Sequence, residues 1–174
     1  MRQKFIMRAG AMALVLLGLC TALAAEEAKE FSLNANDLDS AQVVEAKVID
    51  KFTINAKSDK GVTIEAMDVA RTAEDGEVFN ARIKLNGGGA LDYRSISFTV
   101  KAKAKLTVYL NSSSKTDART LKLCNAKGDV IAELVAPPDG GEKAGMAAVD
   151  LAEAGTYVVY SAGSGINIYM IAVE

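Results

Sequence analysis

From Phe52 onward the chain is a succession of short runs with an apolar residue at every second position, and this alternation leaves few folds open. In an extended strand, residues i, i+2 and i+4 face the same way, so each such run buries one face and wets the other. Phe52, Ile54 and Ala56 make the first run, and Val62, Ile64 and Ala66 the second. Phe79, Ala81, Ile83 and Leu85 follow, then Ile96, Phe98, Val100 and Ala102, then Leu106, Val108 and Leu110. Leu121 with Leu123, then Val130, Ala132 and Leu134, then Val149 with Leu151 continue the pattern, and strands at 156–161 and 166–173 close it. Turn signals separate the runs: Ser58-Asp59-Lys60-Gly61, Asn86-Gly87-Gly88-Gly89, Asn125 to Asp129, and Pro137-Pro138-Asp139-Gly140-Gly141.

No stretch beyond the N-terminus sustains apolar residues at helical spacing between capping signals. A single open sheet of such strands would expose its apolar face, so two sheets must face one another. The predicted fold is all-β, an antiparallel two-sheet β-sandwich of jelly-roll-like type. Half of the chain is apolar, enough for one real core, and no repeat or linker divides it.

The N-terminus reads as a targeting segment. Arg2, Lys4 and Arg8 precede an unbroken apolar run from Ala9 to Cys20, and Ala22-Leu23-Ala24 offers small residues for cleavage before Ala25. The expected division is therefore a signal peptide, 1–24, and a single sandwich domain, 25–174. The apolar run is short for a bilayer span and charged residues follow at once, so no retained transmembrane helix is expected. Leu19 before Cys20 suits a lipoprotein peptidase poorly, which favours plain cleavage over lipidation. The protein is expected to be exported, to the periplasm, the cell surface or the medium.

Removing this segment takes away three basic residues and no acidic one, which moves the net charge from −2 to −5 and argues against nucleic acid as a partner. Only Cys124 then remains, so no internal disulfide can form, and Cys124 reads as a packed or edge thiol. The chain has no histidine, no nucleophile-elbow serine and no phosphate-binding glycine loop leading into a helix. Its carboxylates form no recognisable catalytic pair. The expectation is a protein without catalytic residues.

Three features carry binding chemistry. Arg94 shares strand phase with Ile96 and Phe98, and Arg119 with Leu121 and Leu123, so each begins a strand on its apolar side, where a bare charge is costly. Either these arginines form ion pairs with Asp92 or Asp117, or they grip a ligand carboxylate with the guanidinium fork. Arg82 and Lys84 point away from the core, as do Tyr109 and Asn111 on another strand. If those strands are neighbours, one sheet face carries cations, an aromatic and an amide, suited to an acidic sugar. The alternative is an ordinary solvated face, and Lys101, Lys103 and Lys105 read that way. Finally, Asn34-Ala35-Asn36-Asp37-Leu38-Asp39 sets four oxygen-bearing side chains in six residues, which fits a calcium site or an Asx-rich turn. Tryptophan, the strongest sugar-stacking residue, is absent.

The order Arg94-Ser95-Ile96-Ser97-Phe98-Thr99-Val100, Leu106-Thr107-Val108-Tyr109, Asn111 to Ser114, Arg119-Thr120-Leu121-Lys122-Leu123, Gly155-Thr156-Tyr157 and Ile166-Asn167-Ile168-Tyr169 resembles the accessory β-sandwich domains of bacterial pectate lyases. The resemblance spans residues 79 to 174, and more loosely the stretch from Phe31. It implies a non-catalytic carbohydrate-binding module, for an acidic polysaccharide such as pectin, with a polysaccharide-degrading enzyme as partner. Lyase activity is not implied, since the long catalytic domain of those enzymes has no counterpart here. A free-standing structural or interaction protein of the cell envelope is the other reading of such a solitary domain. The residues expected to touch ligand are Arg82, Lys84, Arg94, Tyr109, Asn111 and Arg119.

Overall fold

The computed structural model describes residues 30–174, so the expected signal peptide and Cys20 lie outside the described residues. The strands are β1 (Phe31–Asn34), β2 (Ala41–Val43), β3 (Lys47–Ile49), β4 (Phe52–Asn55), β5 (Val62–Thr72), β6 (Val78–Leu85) and β7 (Ser95–Val100). Then come β8 (Ala104–Ser112), β9 (Arg119–Asn125), β10 (Val130–Ala136), β11 (Gly145–Leu151), β12 (Gly155–Ser161) and β13 (Ile166–Val173). One turn of 3-10 helix, Ala35–Asp37, follows β1.

These strands form the expected antiparallel β-sandwich. One sheet has the order β11-β8-β13-β6-β5-β2, with β1 alongside β13, and the other the order β10-β9-β12-β7-β4-β3. Each alternating run sends its apolar residues between the sheets: Phe52 and Ile54, Ile96 and Phe98, Leu106, Val108 and Leu110, and Leu121 and Leu123 are all nearly or fully buried. Phe31, Phe52, Phe98 and Tyr157 form a chain of ring contacts through this core, with centroids 5.3 to 6.1 Å apart along it. Each fully buried Leu, Ile or Phe contributes on the order of 1.5–3 kcal/mol, so the core needs no disulfide to hold it. Cys124 is fully buried beside the Tyr160 hydroxyl, consistent with its reading as a packed thiol.

One run departs from its expected facing. Phe79 does not join Ala81, Ile83 and Leu85 between the sheets; it packs instead with Tyr109 and Tyr169 in a second, smaller apolar cluster. Three irregularities cause this. The β5–β6 register jumps between Ala66 and Arg71, Tyr169 is an extra residue in β13 opposite β8, and the amides of Asn80 and Ala81 both donate to Asn36 Oδ1, as at a bulge. Tyr109 and Tyr169 lie opposite in phase to Val108 and Ile168, so the second cluster sits on the outer face of the larger sheet. It is roofed by the segments around Ala73 and Ala144, which are tied together by Thr72 N–H donating to Glu142 O and Ala144 N–H donating to Thr72 O.

Asn36 completes this sheet where its strands diverge. Where β13 turns from β6 to β1, the Asn36 side chain donates to Val78 O at 2.9 Å and accepts the two β6 amides, acting as a surrogate strand residue. Asn34 Oδ1 in turn accepts Asn36 N–H. Asn36→Ala is expected to lower stability by about 1–2 kcal/mol, because it strands three backbone groups at once. Urea denaturation reads this directly, and a variant as stable as the parent would contradict the role assigned to Asn36.

Candidate functional site

The outer face of the larger sheet carries a polar row set by strand register. Asn167 of β13 lies opposite Asn111 of β8 on one side and Lys84 of β6 on the other, and Lys84 lies opposite Thr63 of β5. The strands bearing Lys84 and Asn111 are thus not neighbours, as the face platform required; β13 separates them and contributes Asn167. The next row pairs Arg82 with Glu65. Arg82 Nε and Nη2 both donate to Glu65 Oε1, at 2.8 and 2.5 Å, and Lys84 Nζ is 3.9 Å from the same oxygen. Glu65 holds both cations in place while leaving the local balance positive.

Two loops wall this face. The first, 113–117, carries the exposed Lys115 and is shaped by Ser114 Oγ, which donates to Asp117 and accepts the Asp117 amide. The second, 137–143, is pinned by a buried ion pair: Arg71 Nε and Nη2 grip the two oxygens of Asp139 at 2.8 and 3.1 Å, and Arg71 Nη1 donates to Val69 O. The two side chains are only about a tenth exposed. The carboxylate holds the Arg71 guanidinium above its ordinary pKa, chiefly through the hydrogen bond between them. Asp139 N–H donates to Ser114 O, which joins the two loops.

Between sheet and loops lies a cleft of about 570 Å³. Arg71, Arg82, Lys84 and Lys115 line it against a single carboxylate, Asp139, which Arg71 already neutralises. Asn167 forms part of the floor; it is buried, and its Oδ1 has no protein partner. Val69, about half exposed, supplies an apolar wall. Such a site attracts anions and presents apolar surface to a ring.

The structure treats the six expected ligand contacts differently. Arg82 and Lys84 line the cleft. Tyr109 does not present its ring to solvent: it is 7% exposed, packs on Phe79 at 5.2 Å between centroids, and donates its hydroxyl to Asp75. The correction follows from the bulges that turn Phe79 outward and from the roof over that half of the face. Asn111 is buried beneath the 137–143 loop, donating to Pro138 O and accepting from Gly145 N–H, so it shapes the wall. Arg119 reaches Ser113 Oγ and Gly165 O, bracing the base of the 113–117 loop. Arg94 lies at the end of the sandwich, apart from the cleft lining. Neither Arg94 nor Arg119 forms the expected ion pair: Asp92 is bound by Lys57 and Asp117 by Ser114.

Val69, Arg71, Lys115, Asp139 and Asn167 are among the cleft residues that sequence reasoning missed. Arg71 and Asp139 are 68 positions apart, and no local pattern links them. Of the residues expected to offer calcium ligands, Asn34 and Asn36 direct their oxygens to backbone amides, while Asp37 and Asp39 are exposed. Among the described residues no group of three or more Cys, Asp or Glu side chains is disposed to hold a metal ion.

Neither a protein-family model nor a curated protein sequence matches the chain. Solved structures do resemble it. One, from work on the Ruminococcus flavefaciens cellulosome and its expansion in glycan recognition, has a TM-score of 0.51 at 16% identity and covers 83% of this chain and 92% of its own. Another, the CBM22-1 xylan-binding domain of Paenibacillus barcinonensis Xyn10C, has a TM-score of 0.48 at 12% identity, covering 87% of this chain and 97% of its own. The first likeness shows a shared fold, the two-sheet antiparallel β-sandwich.

Two outcomes follow from the site's construction. Arg71→Leu leaves Asp139 buried without its partner and is expected to cost about 3–5 kcal/mol in denaturant unfolding, whereas the double change Arg71→Leu with Asp139→Leu should cost clearly less. Equal losses in both would show that the pair does not act as a unit. The hydrogen bond from Tyr109 also holds the Asp75 carboxyl below its ordinary value. A depressed folded-state pKa contributes stability above the unfolded value of about 3.9 and loses it as pH falls through the folded value. Tyr109→Phe should therefore flatten the acid limb of stability against pH, and an unchanged limb would contradict the link.

Proposed function

We propose that the protein is a non-catalytic carbohydrate-binding module whose ligand is an acidic polysaccharide, of which pectin is the leading example. The observation that carries this reading is the cleft in which Arg82, Lys84 and Lys115 converge beside a carboxylate already neutralised by Arg71. A polymer with a carboxylate on each sugar supplies the missing negative charge, and a pyranose face can lie against Val69. The fold shared with a structure from work on glycan recognition supports the same reading. So does the resemblance to pectate lyase accessory domains. Export by the N-terminal segment would bring the module to such polymers, alone or beside a polysaccharide-degrading enzyme.

The envelope interaction reading draws on one observation: Val130, Ile131 and Val135 are about half or more exposed on β10, an edge strand of the smaller sheet. Edge strands of this kind invite a protein partner.

Calorimetric titration with polygalacturonate and with neutral glycans separates the two. Binding should saturate with the acidic polymer alone and weaken as salt rises. Lys84→Ala should lower affinity about tenfold, equivalent to about 1.4 kcal/mol, without lowering the unfolding temperature. Flat traces with every glycan would sink the binding module and leave the β10 edge as the better guide.

A further inference from the structure

Arg94 stands out for its cost to the fold. Its backbone has φ 45°, the left-handed region that a side chain with a Cβ rarely enters. Its Nε is buried and, among the described residues, has no hydrogen-bond partner. A buried N–H donor left unpaired is destabilising unless something outside the free chain compensates it. Backbone outliers that the surroundings hold in place gather at ligand sites.

The surroundings are shaped to hold it. The Arg94 guanidinium lies against Gly87, where a Cβ would come within 2.7 Å of Nη1, and a Cβ on Gly89 would lie 2.4 Å from the Arg94 carbonyl oxygen, so the Gly87-Gly88-Gly89 loop can close on the Arg94 backbone only with glycine at 89. Gly89 N–H donates to Ser161 O, locking this loop to the end of β12. The nearby groups that might have satisfied the guanidinium are engaged elsewhere. Asp92 is bound by Lys57, and Ser95 Oγ donates to Leu91 O. Arg119, the other arginine at this end of the sandwich, by contrast donates from Nη1 to Ser113 Oγ and Gly165 O. Lys60 adds positive charge beside the neighbouring residue, its Nζ 4.4 Å from the centroid of the Tyr93 ring, with the Asp92-paired Lys57 at 5.3 Å.

We propose that Arg94 is the centre of a second binding site, at the end of the sandwich and separate from the sheet-face cleft, which takes a forked oxyanion. A guanidinium offers two parallel donors that match a carboxylate, a sulfate or a phosphate monoester. The inference stands on Arg94 and its glycine loop and does not require the cleft to bind a glycan.

Thermal unfolding of the protein at fixed ionic strength tests it, with sodium sulfate, sodium phosphate or trigalacturonate replacing chloride. The variants are Arg94→Gly and Arg94→Asn, both at ease in the left-handed region, with Lys84→Ala as the cleft control. In chloride, both Arg94 variants should unfold at or above the wild-type temperature. Wild type and Lys84→Ala should gain several degrees with the preferred anion, and adding either Arg94 change to Lys84→Ala should remove the gain that Lys84→Ala retains. A response to trigalacturonate alone assigns a sugar carboxylate, and a response to sulfate or phosphate assigns an esterified oxyanion. The proposal is overturned if both Arg94 variants unfold well below wild type in chloride, which would make the arginine structural. It is equally overturned if the double variants, Lys84→Ala with either Arg94 change, keep the anion response of Lys84→Ala, if wild type has none, or if Lys84→Ala abolishes it.

Discussion

The grip of Arg71 on Asp139 is the contact on which the functional face depends. A flat antiparallel sheet offers a ligand little more than a surface; the loop 137–143 turns that surface into a cleft, and Arg71 holds the loop down. The same pair decides the sign of the site. Asp139 is the only carboxylate in the lining among the described residues, and with its charge met by Arg71 and a single Glu65 shared by Arg82 and Lys84, the site keeps a net positive charge. Burial makes the arrangement strict, since either partner alone would be an uncompensated charge in a poorly solvated place. Arg71 also fixes Val69 through its carbonyl, so one guanidinium positions both the charged and the apolar walls.

Much of the fold was legible because alternation reports directly on which face of a strand meets the core. Ile96 and Phe98 in β7, Leu106 to Leu110 in β8, and Leu121 with Leu123 in β9 lie between the sheets as their phase requires. The method failed where its physical basis fails. β2 and β3 are three residues each, too short to show a period. Phe79 obeys the alternation in sequence and breaks it in space, because a bulge adds a residue and inverts the facing beyond it. Tyr109 was placed on the outer face correctly, but the segments that roof that face come from around Ala73 and Ala144, and no local signal announces them.

The cleft was legible in part for the same reason. Arg82 and Lys84 point outward by phase, and they do line the site. Asn167 also points outward by phase, yet nothing in Ile166-Asn167-Ile168 distinguishes it from a solvated asparagine; its importance comes from β13 lying between β6 and β8, which is a matter of topology. Arg94 shows the converse. Its phase marked it as an arginine on the wrong side, and the structure places it in a strained turn with its buried Nε unpaired among the described residues.

The central claim is that an anionic glycan lies across the outer face of the larger sheet, between the loops 113–117 and 137–143. Amide chemical-shift mapping of the isotopically labelled protein during titration with oligogalacturonate tests it most directly. The account predicts that the shifts concentrate on Lys84, Ser113, Lys115, Gly140, Gly141 and Asn167, leaving β10 silent. Shifts confined to the β10 edge, or none at saturating ligand, would contradict it.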